Sequence, residues 1–366
     1  MIGTRALPRH RKRRRSELSS VRGAPLLAGI GCLLALLVPA ALGIGAVAIA
    51  PSEVLAIAAS HLGFELNGLA FAPRQEAVLL AIRVPRVLLA LLVGGTLGAS
   101  GAAVQALFRN PLADPALIGT ASGAALAAAL VIVLVPPPPV DAPQWLRLAA
   151  LPLAAFVGSS LATATVYRLG SRAATATLLL AGIAVNALAG AATGLLSFLA
   201  NDAQLRSLVF WSLGSLGGAT WQGLGAAAPG LLATLVALPF LASPLNALLL
   251  GEAEARHLGV DVERLKRRVV LLSALGVGAA VSIGGVIGFV GLVVPHLIRL
   301  AVGPDHRIVI PGSIALGAAL LLGADLLART VVAPAELPIG IVTALAGAPF
   351  FLWLLPRSGS TRGAVG

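Results

Sequence analysis

An all-α protein crossing a membrane about ten times is the fold class this sequence predicts, and three observations predict it. Hydrophobic residues make up 58% of the 366 positions, charged residues only 11%, and the mean hydropathy is +0.97. The apolar residues fall in runs of about 20 to 25, the length a helix needs to span a bilayer. The chain also holds 42 glycines among many alanines, and such small residues let helices approach closely in lipid. A soluble core of this length does not require so much apolar surface.

The formal net charge is +12. In a soluble protein that balance points to nucleic acid. Here the basic residues lie mainly in the N-terminal tail and between apolar runs, where they set topology, so no nucleic-acid partner is expected. Cys32 is the single cysteine and sits inside an apolar run, which excludes an intramolecular disulfide framework and a CxxC site.

Residues 1–23 carry Arg5, Arg9, Arg11, Lys12, Arg13, Arg14, Arg15 and Arg22 and form a basic tail. The apolar run that follows, 24–50, is too long for a signal-peptide core and lacks an Ala-x-Ala exit. It reads as a first span with the N-terminus in the cytoplasm. Residues 51–76, with Glu53, His61, Glu65 and Glu76, then lie outside. A second span covers 78–108, the Arg109–Pro115 segment turns at the cytoplasmic face, and a third span covers 116–135. Prolines 136–139, Asp141 and Pro143 make a stiff external connection. A fourth span, 147–168, descends to a turn with Arg168 and Arg172, and a fifth covers 174–198. Residues 199–222 are less hydrophobic and carry Trp211 and Trp221, as suits an interfacial helix. A sixth span covers 224–247. The segment 248–268 holds Arg256, Arg264, Lys266, Arg267 and Arg268, which assigns it to the cytoplasm. Apolar runs near 269–283, 284–301, 308–329 and 338–355 follow, the first two readable as two short helices or one long kinked one. Residues 357–366, with Arg357 and Arg362, form a cytoplasmic tail. The whole of 24–356 is thus one transmembrane domain.

An internal repeat divides it. GGTLGASGAAVQALFR (94–109) aligns without gaps on GGVIGFVGLVVPHLIR (284–299), with seven identities that include four glycines and the final arginine. Internal repeats are common in transporters. On this pattern Gly94, Gly98 and Gly101, and likewise Gly284, Gly288 and Gly291, form helix-packing faces.

Several stretches carry a resemblance. RVPR (83–86), QALFRNPLADP (105–115) and LIGTASGA (117–124), then GGVIGFVGLVVPHLIRL, GADLLAR and AELPIGIVTALAGAPFFLWLL, resemble the permeases of ATP-driven importers for ferric siderophores, haem and cobalamin. The likeness runs in order from about 75 to 356 and is nearest to the haem permeases. It implies a type II ABC importer permease fold and a homodimer with the pathway on its axis. It also implies two separate ATPase subunits that use the ATP, a periplasmic binding protein, haem as cargo (or ferric siderophore or cobalamin) and an inner-membrane location. No permanently bound cofactor or metal is implied.

The resemblance also assigns residues. Arg83, Arg86 and Arg329, at external helix ends where positive charge is disfavoured, would receive carboxylates of the binding protein, for which the guanidinium fork is suited. Snorkelling at helix ends reads the same way from sequence alone. Glu252, Ala255, Leu258 and Gly259 would contact the ATPase through paired short helices, with Gly259 as the turn between them. Asn110, Leu112 and Thr175 would form the cytoplasmic gate, although Asn110 and Leu112 also suit an ordinary tight turn. His296 and Asp325 are ionisable groups inside apolar runs and so are functional candidates. His296 reads as structural more readily than as an iron ligand, and Glu336 reads as a cap on the last helix.

The only lysines are Lys12 and Lys266, and neither follows a glycine, so the chain has no GxxxxGK[ST] phosphate loop. HExxH and GxSxG are likewise missing, and the chain is read as a transport subunit without catalytic residues. The rival class is an ion-coupled secondary transporter, which requires paired intramembrane carboxylates or an ion site on broken helices.

Overall fold

The computed structural model describes residues 10–64, 71–136, 139, 141, 143–170 and 175–359, with backbone only for 10–22, 144–147, 175, 351 and 353–359. Arg5 and Arg9 of the basic tail, Glu65, Arg172 and residues 360–366 therefore lie outside the described residues, and the side chains of the tail's other arginines do as well. Among the described residues there is no strand. Helix α1 (His10–Gly43) is followed by the short α2 (Pro51–His61). Helix α3 (Pro73–Val78) runs through one π-type turn, Leu79–Arg83, into α4 (Val84–Leu107), making a single 35-residue rod. The rod starts earlier than the apolar pattern suggests. Pro73 tolerates the first helical position, where its missing N–H is no loss, and the Gln75 side chain accepts from the Ala72 N–H at 2.8 Å.

Next come α5 (Thr120–Leu134), α6 (Gln144–Gly170) and α7 (Thr175–Leu199). The interfacial segment holds α8 (Asp202–Ser212), opened by Asn201 and Gln204, whose side chains each accept from the other's N–H at 2.9 and 3.0 Å in a reciprocal cap. Helix α9 (Trp221–Phe240) is separated at Leu241 from α10 (Ala242–Leu248), so the sixth apolar run is two helices, not one. Then follow α11 (Glu252–His257), α12 (Val262–Gly284), α13 (Val290–Val302), α14 (His306–Ala328) and α15 (Ile339–Gly359).

Among the described residues, seven helices are long and apolar enough to cross a membrane, and α5, α13 and the Ile339–Phe350 part of α15 are shorter apolar helices. The expected count of about ten matches this set. The 269–301 region resolves into two helices, because Gly285 and Phe289 both take φ of 67° and end α12 before α13 begins. Helix α12 starts at Val262. Arg264, Lys266, Arg267 and Arg268 thus ride on its first turns rather than in a loop.

Burial separates centre from perimeter. In the most apolar window of α12, 67% of residues are buried within the chain, against 17% in α1 and 22% in α6 and α7. With α14 and α4, α12 forms the centre, and α4 packs most extensively on α14. Glycine makes that contact possible. A Cβ on Gly94 would lie 2.3 Å from the Gly317 carbonyl oxygen, one on Gly98 2.1 Å from that of Ser313, and one on Gly101 1.9 Å from that of Gly291. The repeat does not repeat this local structure. Gly284 closes α12 beside Ile287 and Leu216, and Gly291 meets Pro115 and the Leu97 carbonyl. Gly288 corrects the expectation of a second packing face: it lies in the non-helical link, and a Cβ there would meet nothing within 4 Å.

Candidate functional site

Two groups of polar side chains lie at opposite ends of the helix bundle. At the end holding α2 and α8, Arg86 is 5% exposed and fully paired. Its Nε donates to both Asp325 oxygens at 3.0 and 3.1 Å. Its Nη1 and Nη2 reach Glu336 at 2.8 and 3.0 Å. The guanidinium therefore joins α4 to α14 on one side and to the α14–α15 connection on the other. Arg329 donates to the Ala41 carbonyl at 2.6 Å, with its Nε 3.8 Å from Asp325. Arg83 donates to the carbonyls of Leu42, Gly43 and Val47. The first two belong to the last turn of α1, where helix carbonyls lack partners of their own.

These are the three arginines expected to dock the binding protein. All are buried, at 3%, 5% and 9% exposure, and held by their own chain. Helix-mouth arginines at membrane depth need partners within the protein, and here the partners are Asp325, Glu336 and the α1 terminus. Glu336 likewise does not cap α15; it holds Arg86. It is the outermost member of the group, with its side chain 41% exposed, and the Arg86 guanidinium keeps its carboxyl below the usual carboxylate range.

At the opposite end, α11 projects from the bundle. Glu254, His257, Leu258 and Gly259 are exposed, whereas Ala255 is wholly buried against the chain's own core. Ala255 is thus not available to a partner. Gly259, with φ of 83°, turns the chain from α11 into the long α12, so the second short helix of the expected pair lies upstream, in α10. Lys266, 4% exposed, ties α11 to α12: its Nζ lies 3.0 Å from Glu252 and 3.3 Å from Glu263. Arg256 approaches the same two carboxylates at 3.6 and 3.5 Å.

Two further polar links meet this end, both missed by sequence reasoning. Asn246 of α10 donates to Asp305 at 2.6 Å and accepts from the His306 N–H at 2.9 Å, fastening α10 to the start of α14. Gln105 of α4 donates to the Leu292 carbonyl at 3.1 Å and accepts from Arg299, fastening α4 to α13. The available signal was a glutamine and an arginine inside apolar runs, which by default marks a site of function or pairing.

Between these links lies the turn after α4. Asn110 accepts from the Leu112 N–H at 2.9 Å, a local Asx turn, and leaves Leu112 49% exposed. Thr175 opens α7, and its side chain lies outside the described residues. Asn186 of α7 instead reaches the Ala116 carbonyl at 3.1 Å and Ser122 at 2.5 Å, joining α7 to the segment after that turn. His296 packs edge-on against Phe350 of α15, with ring centroids 6.1 Å apart.

Comparison with known proteins matches residues 33–357 to the FecCD transport family. The chain is 50% identical to the hemin transport system permease protein HmuU of Yersinia pestis over 285 residues, 77% of this chain and 84% of that protein. It is 42% identical to the cobalamin import system permease protein BtuC of Halobacterium salinarum over 283 residues, 76% of this chain and 73% of that protein. Among solved structures, a metal-chelate-type ABC transporter in an inward-facing conformation aligns with a TM-score of 0.78 and 33% identity, covering 91% of this chain and 99% of that one.

Proposed function

The chain belongs to the FecCD transport family, and from that membership we propose that it is the permease of an ATP-driven importer that carries haem into the cytoplasm. The observation that carries this reading is the 50% identity to the hemin permease across most of both chains. It is a multi-pass membrane protein and a transport subunit. ATP is bound and hydrolysed by a separate ATPase subunit, two of which serve a permease homodimer in the inner membrane, with both termini cytoplasmic. A periplasmic binding protein delivers the cargo at the α2–α8 end. The exposed face of α11, with Leu258 and Gly259, meets the ATPase at the other end, while Glu252 is held by Lys266 behind it. Asn110 and Leu112, with Thr175, close the pathway on the cytoplasmic side.

Within this reading Arg86 is the docking residue of the three, and the exposure of its partner supports the choice. Its outer partner Glu336 is solvent-accessible and can be exchanged for a carboxylate of the binding protein. Arg83 and Arg329 order the α1 terminus behind it.

Uptake into liposomes tests the function. The chain and its ATPase partner are reconstituted with ATP inside and haem-loaded binding protein outside, with cobalamin- and ferric-siderophore-loaded binding proteins in parallel. ATP-dependent accumulation of haem alone is expected. Accumulation of cobalamin instead, the cargo named for the second relative, keeps the importer and overturns the cargo. Uptake without ATP dependence in an intact complex overturns the importer reading and restores ion coupling.

A further inference from the structure

A cavity of about 770 Å³ opens between α6, α9 and α12, away from both groups of polar side chains. It lies within the size range of small-molecule sites. Helices α6 and α9 each pack on α12 but scarcely on each other, so the cavity is a lateral gap between two perimeter helices with α12 at its back. Its depth is apolar, with Phe156, Ala227, Gly230 and Leu275 on the walls. Its polar groups are gathered at one level: Thr220 and Gln222 at the start of α9, and Ser282 at the end of α12. Leu148, near the start of α6, stands at the same level. From Gln222 to Gly230 the wall runs about 12 Å at the helical rise.

Two prolines shape it. Pro152 of α6 and Pro229 of α9 both line the cavity. Each lacks the N–H that would bind the carbonyl four residues earlier. For Pro152 that carbonyl is Leu148's, at the polar rim. A carbonyl without its helical N–H at a polar rim is open to a donor from outside the helix.

We propose that this cavity is a binding site for one phospholipid of the bilayer, its acyl chain lying between α6 and α9 and its head group at Thr220, Gln222 and the Leu148 carbonyl. Hydrocarbon is the medium that abuts a gap between perimeter helices at membrane depth, and the one-ended polar rim matches an amphiphile. The proposal does not depend on which cargo the permease carries.

The test uses the full-length chain in nanodiscs that contain a phosphatidylethanolamine with a photoactivatable group midway along one acyl chain. Crosslinks are expected in peptides 148–156, 218–230 and 275–283, in excess over the lipid-facing surface of α1 around the exposed Leu36. Ala226→Phe fills the cavity from an exposed wall position, and Ala149→Phe fills it from the opposite wall. Each is expected to lower the cavity crosslinks about tenfold while those on α1 stay constant. Three outcomes overturn the proposal. Labelling equal to that of α1 and indifferent to both variants shows bulk lipid only. Loss of labelling on adding haem shows a cargo site. Disulfide crosslinks between two copies of a chain carrying Cys32→Ser and Ala226→Cys show a protomer contact.

Discussion

A guanidinium inside a spanning rod must be answered on every side, and the partners of Arg86 come from positions 239 and 250 residues away. Sequence reasoning grouped Arg83, Arg86 and Arg329 and singled out Asp325 and Glu336 separately. It could not join them, because pairing across α4 and α14 is a tertiary event that no local pattern encodes. The geometry makes a stability prediction. Arg86→Ala leaves Asp325, 1% exposed, as a buried charge without its main partner, and the cost is about 3 to 5 kcal/mol. Thermal melting in detergent checks this, with Glu336→Gln expected to cost far less, because its partly exposed carboxylate is screened by solvent. A pH dependence follows from the same pair. Glu336 has its pKa lowered on folding by the Arg86 hydrogen bonds. Its stabilising contribution is therefore complete above the ordinary glutamate pKa of about 4.3 and is lost as pH falls through the lowered value. In melts between neutral pH and pH 3, Glu336→Gln is expected to remove this part of the acid loss; an unchanged acid limb would contradict the assignment.

At the scale of elements, the basic segment before α12 shows why charge pattern alone misplaced a boundary. Five cations within 13 positions read as a cytoplasmic segment ahead of an apolar run starting near 269, yet Arg264, Lys266, Arg267 and Arg268 occupy the opening turns of a spanning helix. Long basic side chains extend along a helix toward water, so helix and loop give the same composition there. Lys266 is the exception that turns inward. It binds Glu252 of α11 and Glu263 of α12, and a displacement of α11 is therefore delivered to the base of α12. Lys266→Met keeps the length and removes the charge. It is expected to lower ATP-driven uptake about fivefold, within the range of contact couplings, while the ATPase turnover of the complex persists; Lys266→Arg is expected to restore uptake. Equal loss of both rates in the Met variant would show a structural role only.

For the whole molecule, composition and run length foretold the ten apolar helices, because the bilayer fixes how long an apolar run must be. They did not foretell which helices are central. That follows from Gly94, Gly98 and Gly101, whose missing side chains bring α4 against backbone of α14 and α13. Gly101→Ala places a methyl where the Gly291 carbonyl now lies and is expected to cost about 1 to 3 kcal/mol, read as a lower thermal midpoint, whereas Ala at Gly288 is expected to be near neutral. The repeat was legible and its meaning was not, because the same glycines serve a continuous helix in one copy and a broken one in the other. The broken copy bears on how the protein is made. Helix α13 has 13 residues, about 20 Å of helix, against a hydrocarbon core of about 30 Å. Emerging alone from the ribosome, it is too short to be taken for a membrane span, and the polar backbone of the 285–289 link would meet lipid without partners. Its place in the bilayer therefore rests on α4 and α14, against which it packs, and its insertion is expected to follow that of α14, which glycosylation mapping of chains truncated after α13 and after α14 would check.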